Sequence, residues 1–138
     1  TRLMQQFEKR LIGKRYVFRT EAALPEGEWY WEDQLEKRPA EFRSVVVDAP
    51  AGQRASLRGH RRTEQEAEVE LFTGRYHQIR AQTAHRNVPV LGDTFYGGTP
   101  WSEDGIALHA SYLRFAHPQS QELMEFQHYP DWYTAAKD

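Results

Sequence analysis

A chain of 138 residues without cysteine is one domain's worth, long enough to bury roughly two-thirds of its unfolded surface, and it excludes disulfide frameworks, thiolate metal sites and cysteine nucleophiles. No apolar run approaches the ~18 residues of a membrane helix and no charged-then-apolar leader opens the chain, so a soluble protein of the cytoplasm is expected. The 18 basic residues against 20 acidic leave a net charge of −2, which argues against a uniformly basic surface for nucleic acid.

In chain order, Leu3, Met4, Phe7 and Leu11 recur at helical spacing, with Gly13 placed to end a first helix. Tyr16, Phe18, Thr20 and Ala22 then alternate with Val17, Arg19 and Glu21, the period of a strand. Pro25 and Gly27 interrupt it. Trp29 to Leu35 reads as a short strand, Phe42 to Val47 as a β-branched one, and Asp48 to Gly52 as a turn around Pro50. Glu64, Glu66, Glu68 and Glu70 alternate with apolar and amide side chains, which predicts a strand with a solvated acidic face. After a turn at Thr73 and Gly74, Tyr76, Ile79 and Thr83 share one helical face, and Asn87 with Pro89 supplies the stop. Ile106 to Phe115 and Glu122 to Phe126 complete the set as strands. No internal repeat or linker divides the chain, so residues 1–138 read as a single domain.

The charges are unevenly spread. Arg54, Arg58, His60, Arg61 and Arg62 form one stretch without an acid, and Arg75, His77, Arg80, His85 and Arg86 form a second. Either alone reads as solvated surface; two of them, with a strand between, predict a basic groove. The second opens the helix of the run TGRYHQIR at Thr73 to Arg80, where unpaired backbone N–H groups and the positive end of the dipole already favour an anion.

That run, followed by Pro89, Leu91, Gly92 and Asp93, then Tyr96 and Gly97, then Leu108, His109 and Ala110, then His117 and Pro118, resembles the C-terminal part of the catalytic domain of RluA-type RNA pseudouridine synthases. Upstream, Lys14 and Tyr16 resemble the K-x-Y that follows the family's catalytic loop, so the resemblance spans nearly the whole chain. It implies a cofactor-free isomerase that detaches uracil from its ribose in transfer or ribosomal RNA, rotates it and rejoins it through carbon. By that resemblance Tyr16 is the active-site tyrosine that lies against the base. Arg80 is the basic residue that pairs with a nucleophilic aspartate. Arg75, His77 and Gln78 are assigned to RNA contact or to shaping the cleft, and Arg58, Arg61 and Arg62 to RNA contact. Gly92 and Asp93 read as a positioning turn.

The sequence also departs from the family's pattern. The nucleophilic aspartate belongs to an H-R-L-D motif placed before the region of Thr1, and no such motif occurs here. Gln82, Leu57 and Tyr76 stand where histidine, threonine and a small hydroxyl residue are usual. The chain opens at Thr1 without an initiator methionine, so an upstream portion carrying the aspartate is expected. An RNA-binding module of synthase descent without activity is the alternative, and a protein-interaction domain presenting Trp29, Tyr30, Trp31 and Trp101 is a third reading. The six histidines lack the spacing of a zinc site, and no metal is expected.

The architecture implied is α+β: a mixed, largely antiparallel sheet with flanking helices, a partial pseudouridine synthase fold. A sheet edge or face left open in such a part invites pairing, so a homodimer is an expected partner state beside RNA.

Overall fold

The computed structural model describes residues 13–134; the helix expected over residues 3–11 lies outside them. The strands are β1 (Gly13–Arg19), β2 (Glu28–Arg38), β3 (Arg43–Val47), β4 (Gln53–Thr63), β5 (Glu66–Leu71), β6 (Leu108–Ala116) and β7 (Leu123–Gln127). They form one seven-stranded sheet in the order β3-β2-β4-β5-β1-β6-β7. Every pairing between named strands is antiparallel over the described residues, in keeping with the largely antiparallel sheet expected. A single α-helix, α1 (Gln78–His85), is described, with short 3₁₀ turns at Pro39–Glu41 and Thr94–Tyr96.

Strand β4 has no counterpart in the sequence reading, because arginines dominate its composition. Its alternation is nonetheless regular: Ala55 and Leu57 are fully buried, and Gly59 follows them on the same face, where Trp29 lies so close that a Cβ there would sit 2.2 Å from the indole. Phe18, Leu57, Val69 and Val90 are all fully buried in the main core. Side chains of this kind contribute roughly 1.5–3 kcal/mol each on burial. Ile79 of α1 and the segment carrying Val88, Val90 and Ala107 cover this face of the sheet. A second cluster of Leu35, Ala55 and Ala81, with Val46 and Tyr96 against it, fixes α1 to the β2–β3 side.

The tryptophans belong to this packing. Trp31 is 6% exposed, and Trp29 and Trp101 pack against the main core, which removes three of the four aromatics from the interaction-domain reading. Arg86, at the end of α1, stacks on the Trp31 ring and bonds both oxygens of Asp33 on β2. Helix α1 then stops as the sequence predicts. Asn87 takes a left-handed φ of 61° and the Val88 N–H reaches back to the Thr83 carbonyl at 3.0 Å, satisfying a carbonyl that the helix end would orphan.

The opposite face of the sheet corrects the expectation of a solvated acidic strand. Glu66 is 1% and Glu68 8% exposed. Glu66 receives both Nε and Nη2 of Arg19, while Glu68 accepts hydrogen bonds from Ser111 and from Tyr129. The segment from Tyr129 to Thr134 folds over them, and the Thr134 N–H and hydroxyl close on Glu66. Alternation showed which residues share a face; a remote segment decided whether water reached it.

Candidate active site

On β1, Tyr16 sits beside an irregularity in the sheet. Arg15 pairs with Tyr112 and Tyr16 with Ala110, so Ser111 on β6 is an extra, bulged residue. Bulges bend a strand and re-aim its neighbours. Ser111 is fully buried, anchored by its hydroxyl on Glu68. The Tyr16 ring leans on the main core with the Lys14 ammonium 5.3 Å from its centroid, and its hydroxyl has no hydrogen-bond partner among the described residues.

The loop before α1 faces this tyrosine. Gln78 holds the loop: its Oε1 accepts from the Thr73 hydroxyl at 2.8 Å and the Arg75 N–H at 3.1 Å, while Nε2 donates to the Ser56 carbonyl at 3.1 Å. At 3% exposed it shapes the site from beneath rather than reaching out of it. Arg75 is tied by Nε to the Arg54 carbonyl at 2.8 Å, and the Tyr76 carbonyl accepts from the Ser44 hydroxyl at 2.6 Å. Tyr76, expected on the buried helical face, lies before the helix and is 38% exposed.

His77 caps α1 in a left-handed conformation, φ 52°, unusual for a residue with a Cβ. Its Nε2 lies 3.2 Å from Arg80 Nη1 and its Nδ1 3.0 Å from the Tyr96 hydroxyl. A guanidinium only donates, so Nε2 is the bare nitrogen and Nδ1–H donates to Tyr96. Burial, and then the Arg80 charge, hold the His77 pKa below its ordinary value, which keeps the ring neutral as this bonding requires.

Arg80 makes the strongest contacts of the group. Nε donates to Oδ2 and Nη2 to Oδ1 of Asp93, each at 2.9 Å, and Asp93 is 1% exposed. Those hydrogen bonds hold the guanidinium pKa above its ordinary value. Asp93 is thus more than a turn residue. Gly92, with φ +84°, makes the turn, because a Cβ there would strike the Gly105 carbonyl and Trp101. The signal was present in the sequence: an arginine on an acid-free helix needs a carboxylate, and Asp93 is the first acid after it.

Tyr16, Arg75, His77, Gln78 and Arg80 line one cleft of about 200 Å³, with Lys14 at its side and Leu71 and Leu108 at its base. No acid lines it. Its volume falls below the roughly 300–1,000 Å³ of drug-sized ligand sites, which suits one small planar ring. Arg58, Arg61 and Arg62 are elsewhere and are not a free basic surface. Arg58 pairs with Glu70, Arg61 with Glu26 and Arg62 with Glu68, at 3.2, 3.9 and 3.5 Å. The acids come from neighbouring strands and loops, so a stretch acid-free in sequence is neutralised across the sheet. That stretch therefore does not extend the lining of the cleft.

The fold is shared with pseudouridylate synthase domains of known structure. The solved structure titled Human RNA Pseudouridylate Synthase Domain Containing 1 superposes with a TM-score of 0.72 over 98% of this chain and 61% of that one, at 20% identity. Domain Containing 4 gives 0.69 over 98% and 64%, at 18% identity. In sequence, the ribosomal large subunit pseudouridine synthase D of Haemophilus influenzae is 33% identical across all of this chain and 46% of its own length. Its namesake from Vibrio parahaemolyticus is 33% identical over 91% of this chain and 44% of its own. No protein-family model matches the chain. The chain belongs to the RluA-type RNA pseudouridine synthase family, and it spans less than half the length of these curated relatives.

Proposed function

We propose that this chain is the C-terminal portion of a pseudouridine synthase catalytic domain, the part that holds the target uridine and orients the catalytic carboxylate. The observation that carries this reading is the convergence of Tyr16 and Arg80 on one acid-free cleft. Conversion of uridine to pseudouridine breaks the ribose C1′–N1 bond and forms C1′–C5; a proton leaves C5 and N1 gains one, so no cofactor enters the balance.

The base must leave its stack, and the Tyr16 ring offers it a replacement surface. The free Tyr16 hydroxyl is available to accept or relay a proton. Arg80 has five N–H donors, of which Asp93 takes two and His77 one, leaving two. Those two face a nucleophilic aspartate supplied from outside these residues and keep it ionised. Arg75 and Lys14 meet the phosphates. The names of the relatives favour ribosomal over transfer RNA as substrate, and the cytoplasm is the compartment proposed. No described helix is long and apolar enough to cross a membrane. The outer sides of β3 and β7 end the sheet, and a homodimer would form through one of them.

The second reading, an RNA-binding module without activity, draws on one observation: Asp93 already satisfies the fork of Arg80. The full-length protein decides between them. Tyr16→Phe and Arg80→Ala are each expected to stop uridine isomerisation, followed as release of the C5 hydrogen, with RNA affinity changed only slightly. Undiminished turnover in both variants refutes the assignment, and a full-length wild type that binds RNA without turnover establishes the module.

A further inference from the structure

A second concavity lies on the far side of the His77–Tyr96 contact, between β3 and α1. It encloses about 360 Å³ and is lined by Arg43, Val46, Ala81, His85, Phe95 and Tyr96 among others, with no acid among the described residues that line it. Arg19, Arg38, Arg54, Arg58, Arg61, Arg62, Arg80 and Arg86 pair with carboxylates, whereas Arg15, Arg75 and Arg114 make no such pair among the described residues. Arg43 makes no such pair among the described residues. Its guanidinium instead lies 4.4 Å from the centroid of Phe95 and 5.5 Å from that of Tyr96, and Nη2 donates to the Phe95 carbonyl at 3.2 Å. Phe95 is 45% exposed. A held cation with open donors beside a half-exposed ring combines a phosphate contact with a stacking surface. The Lys37 ammonium, 4.6 Å over the Tyr76 ring, continues the basic rim toward the cleft, and it too has no carboxylate partner among the described residues. His77 lines the cleft and Tyr96 the groove, and their side chains touch.

We propose that this groove takes a nucleotide of single-stranded RNA flanking the one in the cleft, with its phosphate on Arg43 and its base against Phe95. The proposal rests on the RNA-directed reading above. A single-stranded occupant follows from the groove's form, since a strand with unstacked bases can enter a depression lined by aromatics and a duplex cannot.

The test uses the full-length protein and a short single-stranded RNA carrying one uridine. Phe95→Ala is expected to weaken binding by about tenfold or more. Arg43→Ala is expected to weaken it and to lower the salt-dependence slope by about one phosphate's worth, while Arg43→Lys restores the slope. Arg114→Ala, at an exposed arginine on β6 toward the opposite end of the sheet from β3, serves as the control and leaves affinity unchanged. Thermal unfolding of each variant separates a lost contact from a lost fold, and Phe95→Leu supplies a better-packed substitute where Phe95→Ala unfolds. If the wild type binds no RNA, the functional reading fails and this proposal with it. If the wild type binds while Arg43 and Phe95 variants match it in affinity and slope, the groove is not an RNA site and the proposal is overturned.

Discussion

Arg80 grips both oxygens of the buried Asp93 carboxylate at 2.9 Å, Nε to Oδ2 and Nη2 to Oδ1, joining the helix of the TGRYHQIR run to the turn that follows it. Bidentate pairing fixes the plane of the guanidinium as well as its position. The remaining donors of Arg80 therefore point in a set direction. Preorganisation of this kind places fixed charge where a reaction requires it.

Asp93→Ala is expected to lower unfolding free energy by about 2–3 kcal/mol, below the usual cost of breaking a fully buried pair because water can reach the abandoned arginine. Arg80 is 21% exposed on its side chain. Asp93→Asn is expected to cost nearly as much, since its amide sets N–H against N–H on one side of the fork. Urea denaturation of both variants measures this, and an Asp93→Asn protein as stable as wild type contradicts the pairing.

The neutral His77 ring gives the site a pH dependence. Its folded pKa lies below the unfolded 6.5, so the unfolded chain binds more protons in that interval and stability rises with pH across it. The contribution is fully present above about pH 6.5 and is lost as pH falls through the folded value. A histidinium would set a donor and a second charge against Arg80. His77→Asn tolerates the left-handed backbone without titrating. Denaturation midpoints followed from about pH 7.5 to 5 should fall more steeply for wild type than for this variant; parallel curves would remove His77 as the source.

The helix, its stop at Asn87 and six of the seven strands follow from periodicity and turn chemistry, which are local. What local pattern cannot carry is pairing. The arginines of β4 look free until β5 lies beside it and sets Arg58 opposite Glu70. Two consecutive segments of opposite charge, Arg54 to Arg62 and Glu64 to Glu70, did hold the hint of a hairpin with cross-strand ion pairs. Glu66 offers no comparable hint, because its burial depends on Thr134, far along the chain. The cleft was legible as a motif, and the partner of Arg80 was not, although the acid-free helix pointed to it.

The two kinds of glutamate on β5 should separate in stability measurements. Glu66→Ala breaks the ion pair with the partly exposed Arg19 and releases Thr134, at an expected cost of roughly 2–3 kcal/mol. Glu70→Ala loses only its pair with the half-exposed Arg58, at a cost of about 0.2–1 kcal/mol. Equal losses would mean that the segment from Tyr129 to Thr134 does not seal that face.

Tyr96 joins the cleft to the flanking groove, and its hydroxyl is the junction. It accepts from the Ser44 N–H at 2.9 Å and from Nδ1–H of His77 at 3.0 Å. Burial raises its pKa, so the phenol stays neutral and both bonds persist across the physiological range. Tyr96→Phe keeps the ring beside Arg43 and Arg80 but orphans two donors, one on the backbone of the 2%-exposed Ser44. Leaving that N–H unpaired costs about 1–3 kcal/mol. The second consequence is specific to the site: His77 loses what fixes its tautomer, and with it the acceptor held toward Arg80. Tyr96→Phe is thus expected to weaken the pH dependence assigned to His77, whereas Ser44→Ala, which removes the hydroxyl on the Tyr76 carbonyl and keeps its own N–H, leaves that dependence in place. Loss of the pH effect in both variants would locate its origin in the loop rather than in the hydroxyl of Tyr96.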